Sequence, residues 1–241
     1  MKNNNMQSKV WVVVPAAGSG SRFAADRAKQ FYPLKGSTMA EVTLQRLLAI
    51  PAVAGIVVAK NPQDSHWDEV QALQDAKVLS VAGGRERADS VLAGLQALSA
   101  KLGPSDWVMV HDIARPCLHP DDVEKLLATL SDDPVGGLLV APVTETLKQI
   151  AGEEVVKTHD RQMFALAQTP QLFRYGVLCS ALETAASSGA AVTDEASAVE
   201  LAGLSVRTVS GRADNLKVTV AEQLPIAEAI LAAQEQEEPK K

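Results

Sequence analysis

The sequence predicts an α/β fold, a mostly parallel sheet flanked by helices, in one domain spanning 1–241. Three observations predict it. Short apolar runs such as Trp11-Val12-Val13-Val14 and Gly55-Ile56-Val57-Val58-Ala59 alternate with segments of helical period, which makes a parallel sheet with right-handed crossovers. Loops of small or charged residues follow several of those runs, at the carboxyl edge where such sheets bind ligands. One segment, 142–168, breaks the alternation.

The first strand, Trp11 to Val14, is β-branched and reads as buried on both faces, with Pro15 as its stop. Met39, Val42, Leu44, Leu47 and Leu48 predict a helix over Thr38 to Ile50, ended by Pro51. Gly55 to Ala59 is the second strand, Gln63 to Ala76 a polar helix or helix-like link, and Val78 to Val81 the third strand. A second glycine turn, Gly83-Gly84, feeds a helix with Val91, Leu92, Leu95 and Leu98 on its apolar face. Asp106 to Val110 is a strand with His111-Asp112 at its carboxyl end; Asp121 or Asp122 caps a helix over Val123 to Leu130; Gly137 to Ala141 is the next strand. From Pro142 to Gln168 the threonines and Val155-Val156 favour extended chain, with a hairpin turning near Ala151 to Glu154. A segment this long and polar serves function or subunit contact, or is a surface excursion. A helix then runs from Phe173 to Ser188, closed by Gly189, and another begins at Thr193, its cap. Leu204 to Val209 is a strand, 211–217 a loop and Ala221 to Gln234 the closing helix.

Composition narrows the function. A net charge of -6 without a basic tract argues against nucleic acid. No apolar run approaches the ~20 residues of a membrane helix, and Met1 to Lys9 lacks the apolar core of a signal peptide. Two cysteines, Cys117 and Cys179, make neither a zinc site nor a disulfide framework, so a cytoplasmic location is expected. The four histidines have no glycine-elbow serine near them.

The opening loop carries the first chemical signal. Ala16, Ala17, Gly18 and Gly20 let backbone approach a ligand, and the cations Arg22 and Lys29 follow. Backbone N–H groups can cradle a triphosphate and the cations can neutralise it. On the glycines alone, an ordinary strand-to-helix turn fits equally. A dinucleotide fingerprint is excluded by Phe23, three residues after Gly20, and by Lys60-Asn61 where an acid would hold a ribose. No Gly-Lys-Ser/Thr tripeptide of a P-loop occurs. Asp112, after an apolar strand, projects at the same edge and is the metal candidate, able to hold magnesium between triphosphate oxygens. A lone aspartate is more often structural; the neighbouring loops turn the reading toward a metal. Arg22, Lys29, Arg115, Arg161 and Lys217 are loop cations of the kind phosphoryl and nucleotidyl transfer uses, although each singly fits a surface charge. Arg87 is expected to pair with Glu86 or Asp89.

Several segments together carry a resemblance. They are Pro15 to Arg22 with Lys29-Gln30, Gly83-Gly84 with Glu86 to Leu95, His111-Asp112 with Ala114-Arg115-Pro116, Ala141-Pro142-Val143 with Thr146-Leu147-Lys148, Thr169-Pro170-Gln171, Thr193 to Ala198, and Gly211 to Thr219. In this order they resemble the 2-C-methyl-D-erythritol 4-phosphate cytidylyltransferases of the non-mevalonate isoprenoid pathway, over about Val10 to Ile230. The resemblance implies a Rossmann-like nucleotidyltransferase fold with a protruding β-arm at about 142–168, through which a homodimer forms. It implies transfer of CMP from CTP to methylerythritol phosphate, with magnesium. Arg22 and Lys29 then match the triphosphate cations, Ala16, Ala17, Gly84 and Ser90 the cytidine contacts, and Asp112 the magnesium carboxylate. Arg115, Thr146, Thr169, Arg161 and Lys217 match positions around the acceptor phosphate, with Thr146 and Arg161 serving the neighbouring subunit. Two departures stand out: Arg85 replaces an aspartate of some relatives in the nucleotide loop, and Ala28 replaces a common proline before Lys29. The rivals are a cytidylyltransferase for another polyol phosphate such as ribitol 5-phosphate, a non-catalytic nucleotide-binding regulator, and a dinucleotide-dependent oxidoreductase.

Overall fold

A computed structural model describes residues 9–18 and 27–237. Arg22 and Gly20 of the opening loop lie outside the described residues. In chain order the elements are β1 (Val10–Ala16), β2 (Pro33–Leu34), β3 (Ser37–Thr38), α1 (Met39–Leu48), β4 (Val53–Lys60), β5 (Val78–Ala82), α2 (Arg87–Gln96), β6 (Trp107–Val110) and α3 (Pro120–Leu130). They continue as β7 (Gly136–Pro142), β8 (Leu147–Ala151), β9 (Glu154–His159), β10 (Ala165–Arg174), α4 (Tyr175–Ser188), α5 (Glu195–Leu201), β11 (Arg207–Ser210) and α6 (Leu224–Glu237).

Seven strands form one sheet in the order β11-β7-β10-β6-β1-β4-β5. All its pairings are parallel except those of β10, which runs antiparallel to β6 and β7. Both faces are covered. Val12, Val14 and Met109 pack toward α1 and α3 with Leu44, Leu47 and Leu126, whereas Val13, Val57 and Val108 pack toward α2, α4 and α5 with Val91, Leu95, Leu178 and Val199. Two-sided burial is why β1 reads as an unbroken valine run instead of an alternating one. The hairpin β8–β9 stands apart from the sheet, pairing Ala151 with Glu154 where the sequence predicts its turn.

The structure corrects several boundaries. Pro15 does not stop β1, which continues to Ala16. The Val13 carbonyl accepts from His111 on the β6 side. Pro15, two residues on, turns its missing donor to that same side, beyond the last β1–β6 pair, Val13 with Val110. Phe173 does not begin a helix; it lies in β10, and α4 starts at Tyr175. Thr169-Pro170 reads as a break, yet the strand crosses it with a register shift between Ala167 and Gln171. Gly189, at φ 67°, closes α4 as expected. The 63–76 link is two short 3-10 turns, the first capped by Asp64. His119, not Asp121 or Asp122, caps α3, because Pro120 takes the first helical position and the His119 ring accepts from the Asp121 N–H. Asp194, not Thr193, caps α5 in a reciprocal pair with Ser197. β11 starts at Arg207, three residues later than the predicted Leu204.

Candidate active site

Three loops converge where β1, β5 and β6 end. The first follows β1. Gln30, 3% exposed, donates to the carbonyls of Ala16 at 3.3 Å and Gly18 at 3.4 Å and so shapes the start of that loop. The second follows β5. A Cβ on Gly83 would lie 2.4 Å from that of Ala17, so the two small-residue loops touch only because Gly83 has none. Ser90 Oγ accepts from Gly84 N–H at 3.1 Å and donates to the Glu86 carbonyl at 3.2 Å, joining this loop to the first turn of α2. Ala16, Ala17, Gly18, Lys29, Gly84, Arg85, Ser90, Asp112 and Lys217 thereby border one cavity of about 330 Å³.

The third loop follows β6 and delivers Asp112, 7% exposed. Its Oδ1 accepts from Arg87 Nη2 at 2.9 Å and Nε at 3.1 Å. Its Oδ2 lies 2.7 Å from Lys217 Nζ and 3.8 Å from Arg115 Nε. Burial alone would raise this carboxyl; the charges of Arg87, Lys217 and Arg115 outweigh it and hold Asp112 far below the usual carboxylate range. Arg87 does not pair with Glu86 or Asp89. Its other edge meets Glu195, with Nη1–Oε1 at 2.5 Å and Nη2–Oε2 at 3.1 Å. Burial opposes the Arg87 charge, and the two carboxylates more than restore it. Burial lifts the Glu195 carboxyl, with Arg87 pulling the other way.

Behind Asp112 a chain of polar groups interlocks, with Arg115 Nε and Asn215 Oδ1 left without a hydrogen-bond partner among the described residues. The Arg115 carbonyl accepts from His111 Nε2 at 3.1 Å, which leaves Nδ1 to accept from the Thr169 hydroxyl at 3.2 Å. Thr169 Oγ1 in turn accepts from the Asp112 N–H at 3.0 Å. Burial pushes His111 down to about 4, against the Arg115 carbonyl, which favours the charged ring. The ring is therefore neutral at pH 7, and in that form Nδ1 is free to accept from Thr169. Asn215 donates to the Thr169 carbonyl at 2.8 Å, and Arg115 Nη1 donates to the Asn215 carbonyl at 2.7 Å. Arg115 Nη2 reaches the Ala167 carbonyl at 3.3 Å.

A second cavity of about 240 Å³ adjoins the first, bordered by Arg115, Thr169, Gln168 and Thr193. Asp112, Arg87 and Lys217 border both. Thr146 and Arg161 border neither among the described residues. They are exposed on the arm, where Arg161 Nη1 donates to the Thr144 carbonyl. Also among the described residues, no three His, Cys, Asp or Glu side chains gather to cage a metal. Asp112 instead offers a carboxylate at the wall of both cavities, with Glu86 bordering the larger and Asp194 the smaller, a sparse donor set that suits an ion keeping most of its ligands from water and phosphate.

Arg87, Glu195, Gln30 and Asn215 belong to this site and were not marked out as such by the sequence. Glu195 reads as a first-turn helix acid and Asn215 as a loop residue. The one available signal was their place inside the segments Thr193 to Ala198 and Gly211 to Thr219.

Two small-residue loops at a parallel edge, with cations gathered around one carboxylate between two cavities, define a nucleotidyltransferase, which must bring two anions together. Comparison with known proteins makes the class specific. The family model for 2-C-methyl-D-erythritol 4-phosphate cytidylyltransferase (IspD) matches residues 10–233, and the chain belongs to that family. The protein of that name from Ectopseudomonas mendocina (strain ymp) is 51% identical over 221 residues, covering 91% of this chain and 94% of that one. The Aliivibrio fischeri (strain MJ11) protein is 45% identical over 229 residues, covering 95% and 96%. The crystal structure of the Francisella tularensis enzyme is similar with a TM-score of 0.80 at 35% identity, over 92% of this chain and all of the other, 100%.

Proposed function

We propose that the chain transfers the cytidylyl group of CTP to 2-C-methyl-D-erythritol 4-phosphate, releasing pyrophosphate and giving 4-diphosphocytidyl-2-C-methyl-D-erythritol. The observation that carries this reading is the Asp112–Lys217 pair, common to both cavities. The larger cavity, between the glycine loops, takes CTP; Ala16, Ala17, Gly18, Gly84, Arg85 and Ser90 border it, and Gly20, outside the described residues, is assigned to the nucleotide by the sequence alone. The smaller takes the acceptor, against Arg115 and Thr169.

A phosphate monoester is already a nucleophile at neutral pH, so no general base is needed. One of its oxygens attacks the α-phosphorus in line, the bond to the bridging α–β oxygen breaks, and pyrophosphate leaves with that electron pair. The barrier is repulsion between anions. Arg22, Lys29 and Lys217 offset it and stabilise the charge developing on the α-phosphoryl group. Asp112 would hold magnesium through Oδ2, the oxygen now facing Lys217, and when bound the ion would supply further neutralisation of the triphosphate oxygens. His111 and Thr169 hold the Asp112 backbone in place.

Residues 142–168 form the arm of a single catalytic domain. Ile150, Val155, Val156 and Leu166 are 67%, 60%, 60% and 57% exposed, an apolar surface suited to a second copy of the chain. In the homodimer Thr146 and Arg161 then serve the partner's acceptor cavity. Cys117 and Cys179 are free thiols, in keeping with a reducing cytoplasm. No helix among the described residues is long and apolar enough to cross a membrane.

Pyrophosphate release from CTP, with methylerythritol phosphate and ribitol 5-phosphate compared as acceptors, tests the assignment. Turnover with the first alone is expected. Turnover with the second alone would keep the CTP site and overturn the acceptor; turnover with neither would overturn both.

A further inference from the structure

We propose that Glu195 is a positioning residue for Asp112, acting through Arg87; the claim about turnover rests on the function proposed above. Glu195 is the first residue of α5, Arg87 the first of α2, and Asp112 follows β6. Three separate elements therefore meet at one guanidinium. Nε and Nη2 grip Asp112 Oδ1, while Nη1 and Nη2 grip the two oxygens of Glu195. Four of the about five N–H groups of an arginine are thus committed to carboxylates in fork geometry.

Glu195 is 1% exposed and borders neither active-site cavity. It has no path to a substrate. Arg87 is different: its side chain is 29% exposed and borders both cavities. An arginine so placed, with one carboxylate alone, would be drawn toward an incoming triphosphate. Glu195 holds it back. The consequence is a division of labour among the cations. Arg87 locks Asp112 Oδ1 while Oδ2 faces Lys217, so Arg87 is kept as a support of Asp112 and meeting phosphate is left to the other cations of the site. Outer partners of this kind typically change metal affinity or activity by 10–100-fold.

The test uses the full chain with Glu195→Gln, which keeps the shape and removes the charge. The first readout needs no turnover. The coupling between Arg87 and Asp112 is measured by a double-mutant cycle in urea unfolding, using Arg87→Gln and Asp112→Asn. It is expected to fall to about half or less in the Glu195→Gln background, since a guanidinium gripped on one edge is no longer held in register. The second readout is kinetic. The kcat of Glu195→Gln falls about 10–100-fold with KM for CTP unchanged or lower, and adding Arg87→Gln brings no further loss. Glu195→Asp, keeping the charge but shortening the reach, loses less. An unchanged Arg87–Asp112 coupling overturns the proposal, as do losses that add between Glu195→Gln and Arg87→Gln. If the wild-type chain shows no turnover, the proposed reaction fails while the unfolding cycle still decides the role of Glu195. Should Glu195→Gln not fold, Glu195→Asp takes its place in the cycle, with the same direction expected.

Discussion

Lys217 Nζ sits 2.7 Å from Asp112 Oδ2, and the pair stands where the two cavities meet. The lysine comes from the loop after β11 and the aspartate from the end of β6, so the contact ties the last third of the chain to its central strands. Asp112 also offsets Arg87 and Arg115. Asp112→Asn leaves Lys217 and Arg115 without this carboxylate and Arg87 with Glu195 alone. Breaking a buried pair costs about 3–5 kcal/mol; with Lys217 40% exposed and partly screened, a loss near the lower end, about 3 kcal/mol, is expected. The kcat should fall on the order of 10²–10³-fold, while CTP affinity is kept or raised by the uncovered positive charge. Urea unfolding and CTP calorimetry measure these separately, and unchanged stability would show that the cluster does not act as a buried network.

Lys29 borders the larger cavity on the 3-10 turn that Gln30 fastens to the opening loop. Its position suits charge on the α-phosphoryl group. Lys29→Ala should lower kcat on the order of 10²-fold or more, the scale of losing one preorganised group. Steady-state kinetics decides: a raised KM at unchanged kcat would make Lys29 a binding residue alone.

Gly83 holds the two glycine loops together by having no side chain. The methyl of Gly83→Ala would lie 2.4 Å from Ala17 Cβ and 3.0 Å from Ser90 Oγ. One of the loops must move. The expected result is about 1–3 kcal/mol lost in stability and a KM for CTP raised about tenfold, since small misplacements at a site carry large rate costs. Thermal unfolding and CTP titration check the two halves.

Much of this was legible in the sequence because local rules decided it. The valine run of β1, the apolar period of α1, Gly189 after α4 and the arm's turn each follow from a handful of neighbouring residues. What was hidden depended on distant partners. Pro15 stays in a strand only because β6 ends where its missing donor points. Leu172 and Phe173 lie in β10 because β6 and β7 offer edges on both sides. Arg87 ignores its neighbours Glu86 and Asp89 for Asp112 and Glu195, which are remote in sequence. Candidate site residues on strand ends, such as Asp112, could be found by alternation alone. Arg161 was marked as a loop cation and Thr146 by resemblance alone, and among the described residues one chain brings neither to its own cavities.

The two cysteines should behave differently. Cys117 is fully buried, and burial pushes its thiol up to about 12. Only about one in 10⁴ such groups is a thiolate at pH 8, and the thiolate is the reactive form. Cys179 is partly exposed. Alkylation of the folded protein at pH 8, followed by peptide mass spectrometry, should label Cys179 slowly and leave Cys117 untouched. Both should react fully in urea. Rapid labelling of native Cys117 would mean that the packing of α6 against the loop after β6 opens readily.

The arm gives the sharpest prediction about assembly. Its strands show Ile150, Val155 and Val156 to solvent at 67%, 60% and 60%, and Arg161 stands away from the chain's own cavities. If a partner's arm completes each site, every site contains Lys29 from one subunit and Arg161 from the other. Lys29→Ala and Arg161→Ala homodimers should each be nearly inactive. A heterodimer of the two places both defects in one site and leaves the other intact, so it should regain about half of the wild-type rate, as two-fold symmetry requires. Subunits carrying different affinity tags allow the heterodimer to be isolated and assayed. Recovery to that level would establish sharing across subunits, whereas an inactive heterodimer of confirmed composition would place Arg161 at its own subunit's site and return the arm to a purely structural role.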